Sequence, residues 1–114
     1  MVVSNASPLI ILAKLNLFDL PQRILGQTSI SQEVWNEVVI KGSGLPGSSE
    51  TLQASQAGWI RVVKVLNSSQ MIAWQADYSL GAGEVSTILI AKEIGANIDL
   101  IDERQARLDR KSVV

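Results

Sequence analysis

The stretch VVSNASPLIILAKL, residues 2–15, decides the fold class of this chain. Val2 and Val3 are β-branched and predict a short buried strand at the start of the chain. The pair Ser7-Pro8 predicts a helix directly after it, with serine as the N-cap and proline at the first helical position. A strand that runs straight into a helix is the beginning of an α/β protein.

The rest of the chain continues this alternation of strands and helices. Further strands are predicted at 27–30, 59–65 and 97–101 and helices at 17–25, 31–40, 49–57, 68–78, 84–94 and 103–110, with 112–114 beginning another strand. Ser31 and either Ser68 or Ser69 are predicted N-caps, and Gly95 is a predicted left-handed C-terminal cap. Strands joined through helices predict right-handed crossovers and a parallel sheet. With no internal repeat, residues 1–114 are expected to form a single domain.

Composition restricts the available chemistry. The chain has 114 residues, of which 46% are hydrophobic and 18% charged, as in a globular domain. It contains no cysteine and no histidine, which excludes disulfides, thiolate metal sites and a histidine base. Hydrolytic chemistry would therefore depend on carboxylates, hydroxyls or lysine. The loop GSGLPGSS, residues 42–49, lacks the Gly-Lys-Ser/Thr ending of a phosphate-binding loop, which argues against a nucleotide-binding domain.

Charge and hydropathy bear on partners and location. The net charge is −1, the opposite of a broad basic surface for nucleic acid, so bound cations would have to offset acidic residues at such a site. No stretch reaches the roughly 18–20 apolar residues that span a bilayer. No positive charge precedes the first apolar run, and Lys14 interrupts it, unlike a signal peptide. We expect a cytoplasmic protein without a membrane segment.

Acidic and amide side chains collect at one predicted edge of the sheet. In parallel sheets the chemistry lies outside the carboxyl ends of the strands, where the N-termini of the crossover helices also lie. Four segments contribute: Ser4 and Asn5, Asp102 and Glu103, Glu84, and Glu33 with Glu37. Each has a simpler structural interpretation as well.

Taken singly, these residues fit ordinary structural roles. Glu84 would complement the helix dipole at its N-terminus. Glu37 could pair with Lys41 one turn later, and residues 102–103 could simply start the next helix. Asn5 could be a turn residue that bonds the local backbone. Together, however, crowded carboxylates repel one another unless cations lie between them. Oxygen ligands without histidine or cysteine select Mg²⁺ or Mn²⁺, ions that assist phosphodiester hydrolysis.

The same residues carry a resemblance to a known family. The stretch 2–15 resembles the opening of PIN-domain proteins, in which the first strand ends in an aspartate followed by a small hydroxyl-bearing residue. LGAGEVSTILIAKEIGANIDLIDERQAR, residues 80–107, resembles the LGxGE…LA…GA…LLIDD-R-R-A-R pattern of one prokaryotic, toxin-like branch. The likeness extends from residue 2 to about residue 110 and matches the order of the predicted elements.

The resemblance implies a three-layer α/β/α sandwich with a central parallel sheet, and a ribonuclease that uses Mg²⁺ or Mn²⁺. It also implies the toxin half of a toxin–antitoxin pair. The family's acids fall on Glu37, Glu84 and Asp102 as catalytic residues, and the metal ligands on Asn5, Glu37, Glu84, Asp102 and Glu103. Either Asp102 or Glu103 would face the metal. Ser7 matches the hydroxyl position near the metal and the scissile phosphate.

Two departures from the family pattern change the expected activity. Asn5 stands where the family has an aspartate, which predicts weaker metal binding and poor or absent cleavage. The family usually continues with a strand and a helix beyond the last Arg-rich helix, so the chain is expected to lack them and to pair with a second copy or an antitoxin. The alternative to an RNA-cleaving enzyme is an inactive PIN-like module that binds itself or a partner protein.

Overall fold

A computed structural model describes residues 2–96 and the backbone of residues 98–100. Strands and helices alternate along this part of the chain, as predicted. In chain order the elements are β1 Val2–Ser4, α1 Ala6–Lys14, α2 Leu20–Leu25, β2 Thr28–Ser31, α3 Gln32–Trp35, a π-helix Asn36–Lys41, α4 Ser48–Gln56, β3 Ile60–Val63, α5 Ser68–Tyr78, α6 Ala82–Glu93 and β4 Ile98–Leu100. The helix predicted at 103–110 and the strand predicted at 112–114 lie outside the described residues.

The four strands form one parallel sheet in the order β3-β2-β1-β4. Val2 of β1 lies opposite Thr28 of β2 on one side and Ile98 of β4 on the other. The chain therefore moves outward from β1 to β3 and then returns to the other side of β1. The strand order reverses between β1 and β4, and such switch points open a crevice outside the carboxyl ends of the strands.

Helices cover both faces of the sheet, which makes the architecture the predicted three-layer α/β/α sandwich. On one face, Ile30 of β2 packs with residues of α1, α3, the π-helix and α4, among them Leu9 and Val34. On the other face, Val3 of β1 packs against Ile90 of α6. α5 lies outside α6 and contributes Met71 and Trp74 to a smaller cluster. Because both faces are covered, every residue of the central strands β1 and β2 is buried.

Two predicted helix ends agree with the structure. Ser31 caps α3, and its Oγ accepts a hydrogen bond of 3.0 Å from the Val34 amide. Gly95 follows α6 with a left-handed φ of +66°. The amide of Ala96 then donates to the carbonyl of Ala91 at 2.9 Å, which is the bonding pattern of a Schellman motif.

Several predicted helix starts were wrong, including that of α2, which begins at Leu20 and not at residue 17. α1 is capped by Asn5 instead of Ser7, which places Pro8 at the third helical position. Proline is tolerated throughout the first turn, where amides have no intrahelical partner, so it did not fix the start. α5 is capped by Asn67, whose Oδ1 accepts from the Gln70 amide at 3.0 Å, and not by either following serine. α6 begins at Ala82, two residues before the predicted start at Glu84.

The predicted α-helix 31–40 changes its hydrogen-bonding pattern partway. Residues 36–41 form a π-helix after the single α-helical turn of α3. The backbone of Gly42 lies close to that of the π-helix, so a Cβ at position 42 would lie only 2.5 Å from the carbonyl oxygen of Val38. Within the described residues, no helix is long and apolar enough to cross a membrane.

Candidate metal centre

A cavity of about 180 Å³ opens at the carboxyl end of β1, beside the switch point of the sheet. Its walls come from the start of α1, the π-helix and the start of α6, which belong to different layers of the fold. Four of the residues predicted for the site line it: Asn5, Ser7, Glu37 and Glu84, together with Ala6, Gly81 and Gly83. Asp102 and Glu103 lie outside the described residues.

Asn5 is the most deeply buried of the four predicted residues, in the sense that its exposed fraction is only 3%. It has an extended backbone and is the N-cap of α1, yet its side chain makes no capping hydrogen bond. The interpretation of Asn5 as a turn residue that bonds the local backbone stays a prediction. Although the residue takes part in a further interaction, no described residue donates a hydrogen bond to its buried Oδ1 atom. A buried amide oxygen of this kind is well suited to accept a cation.

Glu84 has a structural role and a place in the cavity at the same time. Its Oε1 atom accepts a hydrogen bond of 3.2 Å from the amide of Gly81, the N-cap of α6. The interpretation of Glu84 as a capping residue is confirmed. The side chain is half-buried and also lines the cavity. The capping bond orients the carboxylate, as the outer partners of a ligating carboxylate do in metal sites.

Glu37 turns toward α6 instead of pairing with Lys41. No salt bridge joins these two described residues, so the predicted ion pair was wrong. In a π-helix the hydrogen bond runs to the fifth residue, so position 42 and not position 41 lies above Glu37. Its Oε1 atom lies 3.0 Å from the point that a Cβ on Gly83 would occupy. π-Helical segments are rare and frequently mark functional sites.

Gly83 is a site residue that the chemistry of the sequence did not reveal. It is buried in the first turn of α6, and the Glu37 carboxylate lies beside the space that a Cβ at position 83 would fill. The absence of a side chain lets the π-helix and α6 approach each other at the cavity. The sequence signal for it is its position in the LGAGE motif, residues 80–84, which carries the family resemblance.

A buried pair of hydroxyls fixes the two acid-bearing segments relative to each other. Ser86 of α6 and Ser31, the N-cap of α3, are fully buried, and their Oγ atoms lie 2.7 Å apart. The Ser86 hydroxyl is also 3.1 Å from the carbonyl oxygen of Gly83. Neighbouring Thr87 donates to the same carbonyl at 2.7 Å. The Ser31–Ser86 contact joins α6 to the N-terminus of α3, which leads directly into the π-helix.

A larger cavity of about 370 Å³ lies at the opposite end of the sheet, beside Phe18 and Trp59. It also contains two acids, but both have local structural roles. Asp19 forms a salt bridge of 2.7 Å with Arg23, and Glu50 accepts a hydrogen bond from the amide of its own helix cap. Because Glu84 caps its own helix in the same way, the choice depends on position. The cavity at the end of β1 is the better candidate, although it is smaller, because it lies at the carboxyl end of a strand beside the switch point.

The oxygen donors of that cavity fit a hard divalent cation. The described residues supply two carboxylates and one amide oxygen, with the exposed Ser7 hydroxyl at the rim. In the ranges 2–96 and 98–100, no group of three or more histidine, cysteine or acidic side chains lies close enough to hold a metal. The described residues thus supply too few ligands for a complete metal site. The ligands that they do supply suit Mg²⁺ or Mn²⁺, because both ions prefer oxygen ligands.

A family model described as a PIN domain matches residues 1–110. The chain belongs to the PIN-domain family. This confirms the family resemblance and agrees with the parallel α/β fold. The PIN fold is a nuclease-type fold, and PIN domains generally use divalent metals. Neither the curated proteins nor the solved structures gave a match to this chain.

Proposed function

We propose that this PIN domain has the site of a metal-dependent ribonuclease, and that its RNA cleavage is weak because Asn5 replaces an acid. Glu37, Glu84 and Asn5 would hold Mg²⁺ or Mn²⁺, with Asp102 or Glu103 completing the ligand set. The observation that carries the proposal is the convergence of Glu37 and Glu84 on one cavity at the switch point. The two acids come from the π-helix and from α6, which are distant in sequence.

A bound cation would supply a nucleophilic water at neutral pH and stabilise the charge that develops on the phosphate. The residues of the chain would provide position and access. The capping bond from Gly81 holds the Glu84 carboxylate in one orientation. Ser7 is exposed at the rim, where its hydroxyl could donate a hydrogen bond to a phosphate oxygen of RNA.

Asn5 lowers the negative charge of this site by one unit. The interaction of a unit charge with a divalent ion about 4 Å away is about 8 kcal/mol at an effective dielectric constant near 20. Solvent and the remaining acids offset most of this loss. We therefore expect metal binding to be weaker than in an aspartate variant by about tenfold or more, equivalent to about 1.4 kcal/mol.

A cleavage assay tests the proposal directly. Single-stranded and structured RNAs are incubated with Mn²⁺ and either the wild type, Asn5→Asp or the double variant Asn5→Asp/Glu84→Gln. We expect slow or no cleavage by the wild type, clear cleavage by Asn5→Asp, and none by the double variant. Absence of cleavage by Asn5→Asp, with correct folding verified, would refute the enzyme architecture. Cleavage that persists in the double variant would point to a contaminating nuclease.

Asn5 also favours a second candidate, an inactive PIN-like module that binds RNA or a partner without chemistry. Calorimetric titration of the wild type with Mn²⁺ separates the two. Binding at millimolar or lower concentration that is lost in Glu84→Gln supports a metal centre, whereas no heat in either the wild type or Asn5→Asp supports the module.

The toxin role is a further part of the proposal. It would bring an antitoxin protein as partner, with a homodimer as the expected assembly. Expression of the wild type and of Asn5→Asp in bacteria tests it. If Asn5→Asp arrests growth and the added substitution Glu84→Gln relieves the arrest, the result supports a ribonuclease toxin. Unimpaired growth with both the wild type and Asn5→Asp argues against one. Size-exclusion chromatography with light scattering gives the assembly state.

A further inference from the structure

A second cavity, of about 250 Å³, adjoins the candidate metal centre. Glu37 lines both cavities, so the two are neighbours across a single side chain. We call the second one the Leu45 groove and define it by the following residues: Ile10, Lys14, Glu37, Gly42, Leu45 and Pro46. Three of them, Ile10, Leu45 and Pro46, present apolar surface. Beside a cavity lined by two carboxylates, an apolar groove suits a ligand with both polar and apolar parts.

The wall of the Leu45 groove is preformed. The loop that follows the π-helix is closed by a hydrogen bond of 2.9 Å from the Leu45 amide to the Gly42 carbonyl. Its far end is held by the Ser48 hydroxyl, which donates to the carbonyl of Val39 at 3.2 Å. Leu45 is nevertheless 64% exposed, so it contributes little to the core. On this fixed loop its apolar side chain is available to contact a ligand in the groove.

Lys14 adds a positive charge to this groove. It is exposed in the last turn of α1, where a cation also complements the helix dipole. It forms no salt bridge with any residue of the described ranges. Its ammonium group is therefore open to an anion that reaches the groove from outside.

We propose that the Leu45 groove holds the nucleotide next to the scissile phosphate of a single-stranded RNA. The base would lie on Leu45 and Pro46, and the adjoining phosphate would contact Lys14. This inference rests on the proposed function, because it needs a phosphodiester at the metal centre on the other side of Glu37. Apolar contact uses the face of a base and leaves its edges unread, so the subsite accepts all four bases. It excludes duplex RNA, in which base faces are stacked.

Binding of a fluorescein-labelled single-stranded RNA, followed by anisotropy, tests this subsite. The wild type, Lys14→Gln or Leu45→Ser is added stepwise to the labelled RNA in the presence of Mg²⁺, at several salt concentrations. Gels confirm that the RNA stays intact. Lys14→Gln should bind more weakly and lower the slope of log affinity against log salt by about 0.7, as expected when a single strand makes one phosphate interaction fewer. Leu45→Ser should weaken binding about three- to tenfold with the slope unchanged, because the leucine side chain is uncharged.

Matched controls come from α2, which precedes β2 and therefore lies at the opposite edge of the sheet. Arg23→Gln removes an exposed positive charge, and Ile24→Ser removes an apolar side chain that is 69% exposed, close to the value for Leu45. Both should bind RNA like the wild type. All four variants should keep the wild-type response to Mn²⁺ in calorimetry and the same thermal midpoint within about 2 °C.

The outcomes separate this inference from the proposed function. If the wild type binds RNA and Asn5→Asp cleaves it, but Lys14→Gln and Leu45→Ser behave like the controls, the subsite is refuted and the ribonuclease proposal stands. Tight binding of duplex RNA that equals the single-stranded affinity would also overturn the subsite. If the wild type binds no RNA and Asn5→Asp cleaves none, the proposed function fails, and the subsite fails with it.

Discussion

The substitution Gly83→Ala should separate the stability of this fold from the geometry of its metal centre. A Cβ at position 83 would lie 3.0 Å from Oε1 of Glu37 and 3.6 Å from Cγ2 of Val34. The second distance is ordinary van der Waals contact. The first is too short, but it involves the far end of an exposed, flexible side chain. The carboxylate of Glu37 can therefore move away while the helices stay in place.

The energy terms are of similar size and the balance favours the folded state. Alanine is better than glycine in a helix interior by about 0.8–1.0 kcal/mol, and less in the first turn, where residue 83 lies. The added methyl group is buried beside Val34, which contributes up to about 0.8 kcal/mol. Moving Glu37 from its rotamer costs about 0.5–1.5 kcal/mol. We expect a net gain of about 0.5 kcal/mol, or about 2 °C in the thermal midpoint.

Metal binding should change in the opposite direction, because the Glu37 carboxylate shifts from its position beside Gly83 at the cavity. Calorimetry should show Mn²⁺ binding weakened by about tenfold, about 1.4 kcal/mol. Urea denaturation of wild type, Gly83→Ala, Glu37→Ala and the double variant completes the test. In the Glu37→Ala background the gain from alanine should be larger, because the short contact is absent.

Two results would refute this reasoning. A loss of stability above about 1 kcal/mol in both backgrounds would mean that Val34 or the backbone, and not the Glu37 carboxylate, occupies the space beside Gly83. Unchanged Mn²⁺ binding in Gly83→Ala, in a wild type that does bind the ion, would mean that Glu37 is not part of the metal centre.

Other substitutions test the structure around the site. In urea denaturation, Ser86→Ala should lower the free energy of unfolding by about 1 kcal/mol and Ser31→Ala by about 2 kcal/mol. The loss is larger for Ser31 because it is also a helix cap, and equal losses would contradict this. Gly42→Ala should cost about 1–3 kcal/mol in the same assay, since its Cβ would meet the backbone of Val38, and a neutral result would contradict the close approach. Glu84→Gln keeps a capping oxygen and should change stability by less than about 0.5 kcal/mol while abolishing the Mn²⁺ signal in calorimetry; a retained signal would exclude Glu84 as a ligand.

The sequence predicted the kind and order of the elements because their signals are local. Val2 and Val3 form a strand by their own branching, and Ser31 caps a helix with its own hydroxyl. Local signals fail where several candidates stand together. Asn5 competes with Ser7 for the start of α1, and capping preferences among serine, asparagine and threonine differ by too little to decide between them.

Features that depend on distant contacts could not be read from the chain. The order β3-β2-β1-β4 depends on pairings between strands separated by many residues. Nothing in NEVVIK, residues 36–41, indicates a π-helix, because its apolar pattern suits an α-helix equally well. The approach of Glu37 to Gly83 follows from both and was equally hidden. Positions of acids at strand and helix ends were predictable, because parallel topology alone places those ends at one edge.

The geometry of the candidate centre and its charge are maintained by different residues. The approach of the π-helix to α6 depends on Gly83 and on the buried Ser31–Ser86 contact, none of which carries charge. Asn5 changes the charge at the cavity but is nearly the same size as aspartate. A substitution at position 5 can therefore weaken metal binding without disturbing the fold that brings Glu37 and Glu84 together. By the same argument, aspartate at position 5 needs no second change to restore the site. In the absence of metal, the carboxylates of Glu37 and Glu84 would repel the new buried carboxylate, so the gain in metal binding is accompanied by a loss of stability of the metal-free protein.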